Sequence, residues 1–230
     1  MKERPILFSG AMVRALLAGT KTQTRRIMKP QPHEDRLFSG GWAFTSKRDG
    51  STTSVCHPLI AMQCPYGEPG DRLWVRESFR PIYPQQASYN GGNPIGYDHR
   101  EGYQLGYRLG DSINPPKWKP SIHMPRNACR IVLEIVSVRV ERLQDISESD
   151  AIAEGIERIG SEYLKAGHTI FAEGPNFYTV PVDGGNINRP TAIEVYSALW
   201  EWINGPGSWD ANPWVWVIEF KRIESAKGDE

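Results

Sequence analysis

The stretch Cys129–Leu143 constrains the fold of this chain more than any other. Its first half, Arg130-Ile131-Val132-Leu133-Glu134-Ile135, is largely apolar and β-branched. Its second half, Val136-Ser137-Val138-Arg139-Val140-Glu141-Arg142-Leu143, alternates apolar and polar residues. That period of two is the pattern of a half-buried strand. A strand of this length needs hydrogen-bonded neighbours. Further segments supply candidates: Pro5–Phe8, Thr20–Ile27, Arg72–Phe79, Tyr103–Leu109 and Pro213–Lys221. In Arg72–Phe79, Leu73 and Val75 are expected toward the core, with Arg72, Trp74 and Arg76 sharing the other face.

Three segments read as helices. Ser9 is placed to cap a helix over Ala11–Ala18, with Gly19 at its C′ position. Ser147 is an N-cap with Asp150 at the third helical position, and that helix should end near Gly155. Thr191–Asn204 carries Val195, Leu199, Trp200 and Ile203 at helical spacing. The order of elements predicts an α+β fold with a small mixed or barrel-like sheet. The 8 Trp beside 18 Pro and 22 Gly suit such a β-rich fold with long ordered loops. One domain is expected over residues 1–223, with a frayed polar tail at 224–230.

Several function classes are excluded. The formal net charge is +0 over 230 residues, which rules out coating nucleic acid through bulk charge but leaves room for a local basic groove. No apolar run approaches the roughly 18 residues of a membrane span. The N-terminus lacks the apolar region of a signal peptide, so a cytoplasmic protein without membrane association is expected. Phosphate-binding loops and nucleotide fingerprints are absent, and no cofactor is called for. Three cysteines argue against a disulfide scaffold. Cys56, His57 and Cys64 lie close together, with His123 and Cys129 farther on. Without a C-x-x-C pair they read as packed thiols, and no metal is expected.

The segment Lys21-Thr22-Gln23-Thr24-Arg25-Arg26 concentrates chemistry. A lysine becomes a base when burial or cationic neighbours lower its pKa. Arg25 and Arg26 supply such neighbours, and they suit a phosphate as well. A threonine hydroxyl is a nucleophile only with a base beside it. In a straight strand Lys21 and Thr24 face opposite ways, so a bend must bring them together. The same residues also fit an exposed polar strand whose threonines serve β-propensity.

Leu17-Ala18-Gly19-Thr20-Lys21-Thr22-Gln23-Thr24-Arg25-Arg26 resembles the signature of ASCH domains, the activating-signal-cointegrator homology group. Gly70-Asp71-Arg72-Leu73-Trp74-Val75, the strand Arg130–Leu143, Ala153-Glu154-Gly155-Ile156 and Trp216–Phe220 resemble further elements in the same order. The resemblance spans roughly 100 residues of the chain. Cys64-Pro65-Tyr66-Gly67 and Ser121–Arg126 resemble runs in larger ASCH proteins of phages and prophages.

The resemblance implies a PUA-like small β-barrel with flanking helices, here carrying long loop insertions at about 31–66, 80–128 and 157–190. It implies RNA or a modified nucleoside as partner. A small bacterial member of the family is an N4-acetylcytidine amidohydrolase. By that analogy Lys21 is the base, Thr24 the nucleophile and Glu154 an acid/base, and the three should converge on one cleft. Arg25 and Arg26 are expected to bind substrate. Trp74 is expected to offer a stacking surface, with Tyr66, Tyr107 and Trp118 as further aromatic candidates. Residues 80–128 are expected to cover the rim of the cleft. The alternative reading is a non-catalytic RNA- or nucleotide-binding module using the same cleft, and a third is a phage accessory protein whose insertions bind a protein partner.

Overall fold

The computed structural model describes residues 1–34, 41–45, 52–56, 63–82, 96–100, 117–159, 177–182 and 185–223. In chain order the described strands are β1 (Glu3–Leu7), β2 (Gln23–Ile27), β3 (His33–Glu34), β4 (Gly41–Thr45), β5 (Thr52–Cys56), β6 (Arg72–Arg76) and β7 (Phe79–Ile82). They continue with β8 (Gly96–His99), β9 (Val132–Arg142), β10 (Glu157–Ile159), β11 (Phe177–Val182), β12 (Gly185–Arg189) and β13 (Trp214–Ile223). The described α-helices are α1 (Gly10–Ala18), α2 (Glu148–Ala153) and α3 (Ala192–Asn204). The fold is α+β.

The long strand read from the sequence is β9, and it sits at the centre of a five-stranded sheet of order β1-β6-β9-β13-β2. Strands β1 and β6 run parallel, and every other pairing in this sheet is antiparallel. Register across the far edge matters for the site. Arg25 lies opposite Val217, which lies opposite Arg139. Gln23 and Ser137 flank Glu219 in the same way. Residues level with one another share a face, so these two rows put polar side chains side by side. The core is built from Ile6, Leu73, Val75, Leu133, Ile135 and Val217, all essentially buried.

Each helix starts where the sequence places a cap. The Ser9 hydroxyl accepts from the Met12 N–H, and Gly19 ends α1 at φ +78°. Buried Met12, Val13, Ala15 and Leu16 give α1 its inward face. The Ser147 hydroxyl accepts from the Asp150 N–H at 3.1 Å and starts α2. Thr191 and Glu194 close a capping box on α3. A second carboxylate reaches the same end, because Glu148 of α2 accepts from the Ala192 and Ile193 N–H groups at 2.9 and 3.3 Å. Its negative charge suits the N-terminal dipole and pins α3 to α2.

Three expectations need correction. The described strands do not close a barrel: β1 and β2 are the two edges of an open sheet. Those edges come within side-chain reach, since the Arg26 guanidinium of β2 donates to the Leu7 carbonyl of β1 at 2.6 Å. The segment Arg72–Phe79 is two strands, with β6 ending at Arg76 and β7 starting at Phe79. On β6, Leu73 and Val75 are buried as expected, but so is Trp74, covered by the guanidiniums of Arg76 and Arg126 at 4.7 and 6.0 Å from its ring.

The insertions contribute small sheets of their own. Residues of 31–66 form β3-β4-β5, and residues of 157–190 form β10-β11-β12. Within 80–128, β7 pairs with β8. Phe79, Met124 and Ala128 there make a second small core. The expected strand Tyr103–Leu109, with Tyr107, and the tail 224–230 lie outside the described residues. No described helix is long and apolar enough to cross a membrane.

Two glycines carry the chain into and out of the Lys21 region. Gly19 has open space where a Cβ would stand. Gly155, at φ +95°, would place a Cβ 3.0 Å from the Ala15 Cβ and 3.3 Å from the Lys21 Cβ. Gly19→Ala is expected to cost about 1 kcal/mol, the backbone penalty alone. Gly155→Ala adds overpacking and should cost roughly 2–4 kcal/mol. Urea unfolding of the two variants measures the difference, and equal costs would show that nothing packs tightly against Gly155.

Candidate functional site

The Lys21–Arg26 segment is not one straight strand. Strand β2 begins only at Gln23, and Lys21 stands outside it in an isolated antiparallel bridge with Glu154. The Thr22 N–H donates to the Ala153 carbonyl at 2.9 Å, so the end of α2 is pinned to the entry of β2. Gly155 makes this approach possible by leaving room for the Lys21 side chain. Lys21, Thr24 and Glu154, drawn from two distant parts of the chain, line one cavity of about 420 Å³. That volume lies within the range of small-molecule sites, about 300–1,000 Å³.

The cavity fills the gap between the sheet's two edges. Leu7 comes from one edge and Thr24, Arg25, Arg26 and Ile27 from the other. Phe8, Ser9 and Met12 add the entry to α1, while Tyr196, Leu199, Trp200 and Ile203 add a face of α3. The opening that keeps the sheet from closing is therefore the site itself.

Its charges are buried. The Lys21 ammonium donates to the Glu154 carbonyl at 2.7 Å and to its Oε2 at 2.8 Å, with the two side chains 1% and 5% exposed. Arg25 donates to the other Glu154 oxygen at 3.5 Å, to Glu141 at 3.1 Å and to Asp150 at 3.3 Å. Arg139 extends the network to Glu141, Asp150, Glu219 and Gln23. Burial lowers the Lys21 pKa below the usual lysine range, against the pull of Glu154. Burial also pushes the Tyr196 hydroxyl well above the usual tyrosine value, and the nearby Glu154 charge adds to it. Asp150 is held below the usual carboxylate range, because Arg25, Ser147 and Arg139 outweigh its partial burial.

Buried ion pairs of this kind do little for net stability, since desolvation offsets their attraction. Their concentration beside a cavity makes this the candidate functional site. Arg26 stands apart from the network. Its guanidinium bonds the Leu7 carbonyl and lies 5.1 Å from the Phe8 ring centre, with no carboxylate partner among the described residues. The Lys21 ammonium is 5.6 Å from the same ring. The Thr24 hydroxyl makes no hydrogen bond to a described residue, and Thr24 is 4% exposed.

Of the residues anticipated from the sequence, Lys21, Thr24, Glu154, Arg25 and Arg26 come together here. Trp74 does not: it stands on β6, with β9 and β13 between it and β2. Tyr66 and Trp118 do not line the cavity either, and neither does any described residue of 80–128. Cys64 is buried and Cys129 half-buried, and burial pushes both thiols up. His57 and the Cys56 side chain lie outside the described residues. Among the described residues no cluster of His, Cys, Asp and Glu suits a metal ion.

The sequence reading missed Phe8, Tyr196 and Trp200 as cavity residues. Tyr196 and Trp200 stand four positions apart on α3, a same-face spacing that was legible as core but not as a cavity wall. No family model, no curated protein and no solved structure matches the chain.

The ion network predicts an asymmetry. Glu154→Gln leaves Lys21 and Arg25 without their shared counter-charge and should cost about 3–5 kcal/mol. Lys21→Met should cost less, because Arg25 still balances Glu154. The pH dependence has a definite sign. Since the folded pKa of Lys21 is lowered, the native state sheds this proton first, and stability should rise as pH climbs toward the ordinary lysine value of 10.5. Denaturant titrations across alkaline pH should show this rise in the wild type and lose it in Lys21→Met.

Proposed function

We propose that this chain is a hydrolase of acylated nucleosides, of the N4-acetylcytidine type, built on an ASCH-like, PUA-related core whose sheet is left open at the site. The observation that carries this reading is the meeting of Lys21, Thr24 and Glu154 on one cavity of nucleoside-compatible size. Each residue type matches the role that the ASCH resemblance gives it. The dry surroundings, which lower the Lys21 pKa, favour the neutral form that base catalysis requires.

The reaction balances with these groups alone. The Lys21 ammonium passes its proton to Glu154 across their 2.8 Å contact, leaving a neutral amine and a neutral acid. The amine takes the proton of the Thr24 hydroxyl as that oxygen attacks the acyl carbonyl. Collapse of the tetrahedral intermediate breaks the C–N bond, and Glu154 protonates the departing exocyclic nitrogen. Thr24 now carries the acyl group as an ester. The Glu154 carboxylate then takes a proton from water, and the resulting hydroxide attacks the ester. Lys21 returns its proton to the Thr24 oxygen, and the carboxylic acid leaves. The substrate's ring would lie against the aromatic side chains of the cavity, with Arg26, which lines it, beside its sugar.

A second reading rests on a specific contact. The Lys21 ammonium is bound twice by Glu154, and no hydrogen bond joins it to Thr24. That arrangement also suits a binding module in which the ion pair only shapes the pocket. Activity separates the two. Purified protein should release acetate from N4-acetylcytidine without added metal, and Thr24→Ala should lower kcat/KM about a hundredfold or more. Thr24→Ser, which keeps a hydroxyl, should retain measurable turnover. Wild-type protein that binds nucleosides but hydrolyses no acylated one would establish the binding module instead.

A further inference from the structure

Attack on an acyl carbonyl drives negative charge onto the carbonyl oxygen. A hydrogen-bond donor fixed beside that oxygen is commonly the largest single contribution to such catalysis. Most donors around the cavity are engaged. The Lys21 ammonium is bonded twice to Glu154, and the Arg25 Nη groups reach three carboxylates. The Arg26 guanidinium bonds the Leu7 carbonyl, and the Asn204 amide bonds the Trp200 carbonyl. The Trp200 indole N–H and the Nε–H groups of Arg25 and Arg26 are sealed off by protein. The Ser9 hydroxyl, at the entry to α1, is engaged by the Met12 N–H at 3.5 Å.

Tyr196 differs. Its hydroxyl makes no hydrogen bond to a described residue, and its oxygen is not sealed off as those nitrogens are. The space it meets is the cavity that Tyr196 lines. The hydroxyl is close enough to Glu154, Arg25 and Arg26 for their charges to act on it. Those residues line the cavity together with Thr24, so the tip of the ring is on the side of the reacting groups. The ring is also held in place within the aromatic wall of α3. Trp200 lies 6.1 Å from it, Trp209 meets it edge-on at 6.3 Å, and Glu148 fixes the first turn of the helix. A donor held this way needs no reorganisation as charge develops.

The protonation states agree with such a role. Lysine and tyrosine ordinarily ionise at 10.5 and 10.0, so in water the phenol is spent before the amine is freed. Burial reverses that order here, lowering Lys21 and raising Tyr196 well above its ordinary value, with Glu154 adding to the rise against Arg25 and Arg26. Lys21 can therefore be a neutral base while Tyr196 still carries its proton.

We infer that the Tyr196 hydroxyl is the oxyanion donor of this site, bonding the acyl carbonyl oxygen as Thr24 attacks and holding its negative charge until the C–N bond breaks. The inference rests on reading the cavity as the active site of an acyl hydrolase, and it adds a catalytic residue from α3 to the set Lys21, Thr24 and Glu154. The proton stays on the Tyr196 oxygen throughout, so the balance of the reaction is unchanged.

Tyr196→Phe removes one oxygen and keeps the ring. Steady-state hydrolysis of N4-acetylcytidine should show kcat falling about a hundredfold to a thousandfold, with KM changed by no more than about threefold. A rise in KM with kcat unchanged would reduce Tyr196 to a binding contact and overturn the inference, as would no change in either constant. A loss of kcat in Ser9→Ala with Tyr196→Phe unaffected would move the donor to α1 and overturn it too. A second protein guards against a variant that misfolds: a polyfluorinated tyrosine in place of Tyr196 keeps the shape and the hydroxyl but makes the phenol a stronger acid. Its kcat should fall at alkaline pH where the wild type holds its plateau, because the donor now loses its proton within the measured range. Superimposable pH profiles would overturn the inference.

The wild type keeps the two readings apart. Turnover by wild-type protein with full activity in Tyr196→Phe would retire the oxyanion donor alone. Wild-type protein that turns over no acylated nucleoside would retire the hydrolase and the donor with it.

Discussion

The contact between Lys21 and Glu154 organises the whole site. It joins the entry of β2 to the exit of α2, and it does so twice, through a carbonyl and through a carboxylate. The backbone bridge between the same residues, and the bond from Thr22 to Ala153, show that main chain and side chains agree on this meeting point. A loop closure linking residues so far apart in sequence carries an entropic cost. It also brings into the interior charges that water would otherwise solvate. The joint is held by buried hydrogen bonds, with α1 ending in one left-handed glycine and α2 followed by another.

From that joint the charge network spreads in register. Arg25 and Arg139 face one another across β13, and Glu141, Asp150, Glu154 and Glu219 gather around them. Sheet geometry does the arranging, since residues level on neighbouring strands share a face. The outcome is a polar platform under an otherwise apolar cavity. Arg26, one residue on from Arg25, points out of this arrangement and ties the two sheet edges together. Alternation along β2 thus gives two adjacent arginines different partners, the carboxylates for Arg25 and the Leu7 carbonyl for Arg26.

Much of this was legible in the sequence. The central strand announced itself by alternation and two helix starts by Ser9 and Ser147, because capping is local chemistry between near neighbours, while the helix over Thr191–Asn204 was legible from its apolar spacing. Lys21, Thr24 and Glu154 were legible as a set only through a family resemblance, since nothing local links residue 21 to residue 154. Trp74 shows the limit of period-two reasoning. Alternation assigned it outward, yet Arg76 on the same strand and Arg126 from a distant turn close over its ring. The hairpin β11–β12 was read as a Gly-rich insertion, although Tyr178, Val180 and Val182 alternate and pair with Arg189, Ile187 and Gly185. The role of α3 was hidden for another reason: helical periodicity identifies an inward face but not whether protein or empty space lies opposite it.

The two carboxylates that bracket α2 work at opposite ends of one short rod. Glu148 holds the start of α3, and Glu154 holds Lys21. A displacement of α3 would pull on the first carboxylate and, through a single turn and a half of helix, disturb the second. The aromatic wall and the ion pair are in that sense one lever with two loads. The start of α3 and the Lys21 contact are thereby joined by six residues of helix.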